Sequence, residues 1–383
     1  MRILLLNYEF PPLGGGAGNA SAQIAKCLAR MGVEVAVVTS RYHGLAPYEV
    51  KEGCTIYRVP VVRRYLDHCS IAEMATFVAS AAFSMRSIIK SFSPNVLLVF
   101  FGMPTGPLGL YAKKLFRLPY ILSLRGGDVP GFLAGELGLS HRMVGSITKA
   151  VWNDASAVVA NSEGLAKLAQ RSYDKGVVHV IPNGVDISTF YPMGPIGRKR
   201  CSNDTMSMIF VARLVEQKGA KLILQAMSGI AGRLQRPIKL EIIGKGPEEE
   251  SLKSIVEDLG LNEMVCFSGW LERSGVADRM RHSDVFVFPS YEEGMPNVVL
   301  EAMACGLPII TTDIYAIRGL VEDGVNGILI PPGDAQALGE AIVALGSDPV
   351  MAQAMGQESL EIVKQYDWMK SAEAYLRLAE GAV

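Results

Sequence analysis

A chain of 383 residues exceeds the roughly 250 to 300 at which one hydrophobic core stops growing, so two domains are expected. Hydrophobic residues make up 49% and charged residues 20%, a balance that excludes an intrinsically disordered chain, and a net charge of −1 argues against a nucleic-acid binder. From the N-terminus, "RILLLN" reads as a strand, followed by a helix, "VEVAVVTS", "TIYRVPV", a helix near 70 to 91, "VLLVFF", a helix, "PYILSL", a helix, "AVVANS" and "VVHVIPN". The strands are nearly all apolar and alternate with helices, the rhythm of parallel sheets joined by right-handed crossovers and covered on both faces. A stretch rich in Pro, Gly and charge, 188 to 205, reads as a linker. The pattern then restarts with "MSMIFVAR", "KLEIIG", "VCFSGW", "VFVFPS", "LPIITT" and "GILIPP", and a helical segment closes the chain. The expected fold is α/β, with two doubly wound parallel-sheet domains facing a central cleft and ligands outside the carboxyl ends of the strands.

The six cysteines lie apart with no CxxC pair, and His43, His68, His141, His179 and His282 have no metal or triad spacing. No metal site and no cofactor are expected. "MRILLLN" ends at Asn7 with no cleavage signature, and no apolar stretch reaches the ~18 to 20 residues of a membrane span. A cytoplasmic protein with reduced thiols is the expectation.

Three loops at strand ends carry the chemistry. In "FPPLGGGAG" Gly15 and Gly16 precede a helix, where backbone N–H groups either meet an anion or form a plain turn. The dinucleotide fingerprint fails there: Asn19 or Ser21 stands where its third glycine belongs, and the second strand ends without an acid. In "FVARLVEQKG" Arg213 and Lys218 stand before a helix, two cations suited to a diphosphate or to a solvated surface. In "EEGMPNVVLEAMACG" Glu293 lies in a loop, Pro296 suits a first helical turn, Asn297 and Glu301 share a helix face, and Gly306 suits a C-terminal cap. An ionised Glu301 among Val298, Val299, Leu300, Ala302 and Met303 needs a partner, and a bound ligand is the expected one.

With "IIGKGP" and "IPNGVD" added, these motifs in this order resemble the family-4 retaining glycosyltransferases of the GT-B fold, along essentially the whole chain. The resemblance implies an acceptor-binding domain over 1–190, joined by the C-terminal helix 366–383, and a nucleotide-sugar-binding domain over 191–365. It implies a retaining, metal-independent hexosyltransferase moving a hexose or N-acetylhexosamine from a UDP- or GDP-sugar, by a front-face route or through a covalent intermediate. On this resemblance Glu301 binds the ribose hydroxyls, Glu293 holds sugar hydroxyls, and Gly294, Met295, Pro296 and Asn297 seat the sugar and diphosphate. Arg213 and Lys218 stabilise the departing diphosphate, Gly15 and Gly16 approach the phosphate or acceptor, and Lys245 with Trp270 and Leu271 flank the base. Where many members carry a His, "SLRGGDVPG" offers Arg125 and Asp128, with Asp128 set among the substrate-binding residues and Arg125 left open. "TTDIYAIRGL" lacks a Gly-Gly seen in some relatives, and Arg318 there is expected to face solvent.

The segment 61–92 couples Arg63, Arg64, Arg86 and Lys90 to a helix with Phe77, Phe83 and Met85, a surface for an anionic membrane or a lipid diphosphate, or a helix that covers the sheet. The expected acceptor is a glycan or polyprenyl-diphosphate-linked glycan in surface polysaccharide biosynthesis, with the protein peripheral on the inner membrane face. A nucleotide-sugar epimerase or sugar-phosphate synthase of the same fold is the alternative.

Overall fold

The computed structural model describes residues 1–65, 69–132, 138–194, 205–230, 232–234 and 236–383, with the backbone alone for 138–144. His68, Cys201, the 195–204 part of the expected linker and the side chain of His141 lie outside the described residues. The chain divides into two units, one of Met1–Gly184 with Asp367–Val383 and one of Val185–Tyr366.

The first unit holds strands β1 (Arg2–Leu6), β2 (Glu34–Ser40), β3 (Tyr48–Lys51), β4 (Cys54–Val59), β5 (Val96–Phe100), β6 (Tyr120–Leu124), β7 (Ala157–Ala160) and β8 (Val178–Val180). Its helices are α1 (Gly16–Arg30), α2 (Ile71–Phe92), α3 (Gly106–Phe116), α4 (Gly138–Asp154) and α5 (Glu163–Gln170). The sheet order is β3-β4-β2-β1-β5-β6-β7-β8. Successive strand residues feed opposite faces: Leu4, Leu6, Ala36, Val38, Leu97 and Val99 join one core with α2 to α5. Ile3, Leu5, Val35, Val37, Leu98 and Phe100 join the other with α1 and the C-terminal residues Trp368, Ala372 and Tyr375. A period of two with both faces covered therefore appears in the sequence as an unbroken apolar run.

The parallel pattern breaks at β3, which pairs antiparallel with β4 through Tyr48↔Tyr57. Glu52 and Gly53, both at positive φ (53° and 78°), close this hairpin. Reading the sequence misses β3 because it is a mostly exposed edge strand with no apolar run. Helix α2 starts in a capping box, where Ser70 Oγ accepts from the Glu73 N–H and Glu73 Oε2 from the Ser70 N–H.

The second unit holds β9 (Met206–Val211), α6 (Ala220–Gly229), β10 (Ile238–Ile243), α7 (Glu249–Asp258), β11 (Val265–Gly269), α8 (Arg273–His282), β12 (Val285–Phe288), α9 (Asn297–Ala304), β13 (Ile309–Thr312), β14 (Gly327–Ile330), α10 (Ala335–Ser347) and α11 (Pro349–Val363). All its strands are parallel, in the order β11-β10-β9-β12-β13-β14. The strands β10, β9 and β12 are therefore neighbours, and the loops at their carboxyl ends meet.

The chain leaves the first unit at Gly184, earlier than the expected boundary at 190 and before the expected linker. Val185 and Phe190 are buried in the second core, so 185–190 is folded structure there. The return falls at Asp367, and α12 (Trp368–Ala382) packs in the first unit. Within that unit a Cβ on Gly184 would lie 2.2 Å from the Trp368 nitrogen, so this approach needs glycine. In the segment expected at a membrane, Arg63, Phe77 and Met85 are buried instead, while Arg64, Phe83, Arg86 and Lys90 are exposed. Arg63 donates to the carbonyls of Tyr65 and Tyr8. Among the described residues no helix is long and apolar enough to cross a membrane.

Candidate functional site

Beyond β9 the chain makes a 3₁₀ turn over Glu216–Lys218 and enters α6 through Gly219, at φ 72°. A Cβ there would stand 2.2 Å from the Pro289 carbonyl oxygen, which fixes this turn against the loop after β12. Three further contacts lock the two segments. The Tyr291 N–H donates to the Gln217 carbonyl at 2.9 Å, Gln217 Nε2 donates to the Glu292 carbonyl at 2.6 Å, and Ser290 Oγ donates to the Gln217 carbonyl at 3.0 Å. The result brings Lys218 Nζ to 2.5 Å from Glu293 Oε1, with side chains only 15% and 11% exposed. Lys218 also sits over the Phe288 ring at 5.8 Å. A lysine and a carboxylate distant in sequence thus form one charge pair at the carboxyl ends of β9 and β12.

Arg213 is exposed just past β9, and among the described residues its side chain makes no hydrogen bond or ion pair. The loop after β10 presses against the same segment: a Cβ on Gly244 would meet the Ala212 carbonyl oxygen at 1.8 Å and one on Gly246 the Leu214 carbonyl oxygen at 2.2 Å. Lys245 between them is exposed, its carbonyl accepting from the Leu214 N–H at 2.9 Å. Beyond β11, Trp270 is exposed and Leu271 half-buried, packed on the core.

Glu301 lies on α9 with Asn297 one turn earlier. Gly294, Met295 and Pro296 are buried ahead of it, and Gly306 at φ 74° follows the helix end. Pro296 occupies the N-cap in an extended conformation (ψ 104°), one position before the expected first turn. Glu301 already has a protein partner: Arg273 Nη1, at the start of α8, stands 2.9 Å from its Oε1. Burial pushes the Glu301 carboxyl above its ordinary value, Arg273 pulls it back, and nearby Asp186 adds to the rise. Arg273 in turn lies over the Phe190 ring at 5.0 Å. A bound ligand is therefore unnecessary to explain a charge at this position. The sequence reading did not single out Arg273, Ser290 or Gln217, whose only signal is that they adjoin the singled-out loops.

In the first unit Gly15 caps α1, and its N–H points at Glu9 Oε2 at a long 3.5 Å. The group nearest this N–H is thus the chain's own carboxylate. Asp128 departs from the expected substrate contact. It is buried, with Oδ1 accepting from the Arg125 and Gly126 N–H groups at 2.8 and 2.9 Å and Oδ2 from the Gly102 N–H at 2.6 Å. Its role is to hold the loop after β6 on the loop after β5, since both oxygens are committed to backbone. Arg125 is buried too, bonded to Asn183 Oδ1 at 2.9 Å and Tyr375 OH at 3.3 Å, 4.2 Å from the Phe100 centroid. Arg318 lies at the surface in a two-point pair with Asp313. Among the described residues no group of three or more His, Cys, Asp or Glu side chains is placed to hold a metal ion.

Two family models match the chain: glycosyl transferases group 1 over residues 199–361 and glycosyl transferase 4-like domain over residues 15–184. Along its length the chain is similar to the putative teichuronic acid biosynthesis glycosyltransferase TuaC of Bacillus subtilis (strain 168), 28% identical with 98% of this chain and 97% of that protein covered. Its fold is similar to that of a sucrose-phosphate synthase from Thermosynechococcus elongatus (TM-score 0.86, 22% identity, 99% of this chain and 98% of the other). It is also similar to Anabaena Alr3699/HepE in complex with UDP (TM-score 0.78, 20% identity, 100% of both chains).

Proposed function

This chain belongs to the group 1 glycosyltransferases and carries their GT-B fold, and from that premise we propose that it moves a hexose or N-acetylhexosamine from a UDP- or GDP-sugar, with retention, to a glycan or polyprenyl-diphosphate-linked acceptor. The observation that carries the reading is the Lys218–Glu293 pair at the carboxyl ends of β9 and β12, beside the exposed Arg213. In this reading Lys218 and Arg213 take the charge that develops on the departing diphosphate, so the step needs no divalent ion. Glu293 accepts from sugar hydroxyls and Glu301 from the ribose, with Gly294 to Asn297 seating the sugar and diphosphate. Lys245 and Leu271 border the base, and Gly15 and Gly16 approach the phosphate or the acceptor.

The UDP held by the Anabaena neighbour supports a uridine donor. The teichuronic acid biosynthesis in the name of the Bacillus relative supports a surface polysaccharide product. A lipid-linked acceptor is supported by α2, where Phe83, 90% exposed, lies one turn from exposed Arg86 and two turns from exposed Lys90, a face suited to resting on the inner membrane surface.

Thermal unfolding against UDP, GDP, ADP, CMP and NAD tests the donor site. A ligand at ~100 times its dissociation constant adds about 2.7 kcal/mol, several degrees for a unit of this size. A selective rise with UDP or GDP is expected; a rise with NAD alone would overturn the reading. Arg213→Ala or Lys218→Ala should lower turnover by about 10² to 10³, about 3 to 4 kcal/mol of transition-state stabilisation, with the unfolding temperature little changed for the exposed Arg213 and lowered for Lys218, whose loss leaves the largely buried Glu293 without its cation. Near-normal turnover would remove that cation from the mechanism.

A further inference from the structure

Ser290 is fully buried two residues beyond β12, and its hydroxyl has more acceptors than protons. Glu293 Oε1 lies at 2.8 Å, the Gln217 carbonyl at 3.0 Å and the Glu292 carbonyl at 3.4 Å. The two carbonyls are served without it, since the Tyr291 N–H donates to Gln217 and Gln217 Nε2 to Glu292. The Ser290 carbonyl is itself held by the Thr312 hydroxyl at the end of β13. The loop is thus tied at its backbone by groups other than the Ser290 hydroxyl. Lys218 Nζ and Ser290 Oγ converge on Oε1 of Glu293, and among the described residues Oε2 accepts no hydrogen bond.

We propose that Ser290 is a positioning residue for the donor sugar: its hydroxyl holds Oε1 of Glu293 so that Oε2 is presented to the sugar hydroxyls when Lys218 turns to the diphosphate. The assignment rests on the donor-site reading above and extends it. A lysine drawn to a phosphate leaves Oε1 with one fewer donor, and the shared Ser290 proton is the one at hand. Without it the carboxylate would swing toward solvent or the phosphate, where like charges repel. The hydroxyl acts on the sugar half of the donor alone, because the nucleotide half makes its contacts through other residues.

The test compares the unaltered protein with Ser290→Ala and the hydroxyl-retaining Ser290→Thr. The probes are UDP, UDP-glucose, GDP and GDP-mannose, read by calorimetric binding and by donor turnover, with the unfolding temperature as a check on folding. For Ser290→Ala, affinity for the free nucleotide should stay within about threefold while kcat/KM on the nucleotide-sugar falls about tenfold or more, the worth of one hydrogen bond to a charged group. Ser290→Thr, which keeps the hydroxyl, should recover most of the loss. Equal weakening of nucleotide and nucleotide-sugar, or no change in either, would overturn the assignment. If the unaltered protein binds neither nucleotide, the donor-site reading itself is wrong and the Ser290 assignment falls with it.

Discussion

Arg273 works against the tendency of burial to protonate Glu301, and the balance between them sets how this carboxylate responds to pH. Its value lies above the ordinary 4.5, with burial the larger cause and Arg273 opposing it. If the ionised form accepts the ribose hydroxyls, protonation competes with nucleotide. Affinity should then be full above the raised value and lost as pH falls through it, at a higher pH than an ordinary carboxylate would give. Arg273→Ala removes the opposing charge, so the loss should begin at still higher pH, measured by nucleotide binding from pH 4 to 8. Because Arg273 is 39% exposed, solvent screens the pair, and the same change should lower stability by only about 1 kcal/mol. A nucleotide affinity flat across this range in both proteins would take Glu301 out of the binding site.

At the scale of single elements, what matters is which face each one buries. Helix α2 turns Phe77, Ala81, Met85 and Ile88 into the core and leaves Phe83, Arg86 and Lys90 outside. Arg63, Phe77 and Met85, three of the seven residues that suggested a membrane surface in the sequence, are thus committed to packing, and the four exposed ones are what a bilayer would meet. The protein should co-sediment with liposomes containing anionic lipid at low salt, and Phe83→Ser with Lys90→Gln should weaken that binding at least severalfold, since each basic residue near such a surface contributes about 1 kcal/mol. Recovery of the unaltered protein in the supernatant at low salt would end the membrane reading. The loops behave differently from the helices. Gly219 is fixed by its close approach to the Pro289 carbonyl, so the pairing of Lys218 with Glu293 is set by the loop backbone together with the Gln217 and Ser290 side chains.

Across the whole molecule the chain crosses between its units twice, at Gly184 and at Asp367, and gives its last helix to the first unit. Trp368, Ala372, Tyr375 and Ala379 are buried there with Ile3, Leu5, Val35 and Phe100. The first unit's core is incomplete without these residues, which follow the second unit in the chain. Trp368→Ala should cost about 3 to 5 kcal/mol. Scanning calorimetry should show the loss in the first unit's transition, while the transition raised by nucleotide stays in place. A uniform fall of both would mean that the two units unfold as one.

The sequence by itself determined the parallel α/β units, because buried strands must be apolar on both faces and that requirement is written locally. It also pointed to Arg213, Lys218, Glu293 and Glu301, since glycines and charges at strand ends are local features too. Only the tertiary structure decided that Lys218 pairs with Glu293, that Arg273 answers Glu301, and that Ser290 holds the same oxygen as Lys218. Lys218 meets Glu293 and Ser290 because β9 lies beside β12, an order that no periodicity encodes. The edge strand β3 was missed, and the buried Asp128 was named but given a ligand in place of backbone, for related reasons. An exposed strand has no apolar signature, and a carboxylate that serves backbone N–H groups looks in sequence like one that serves a ligand.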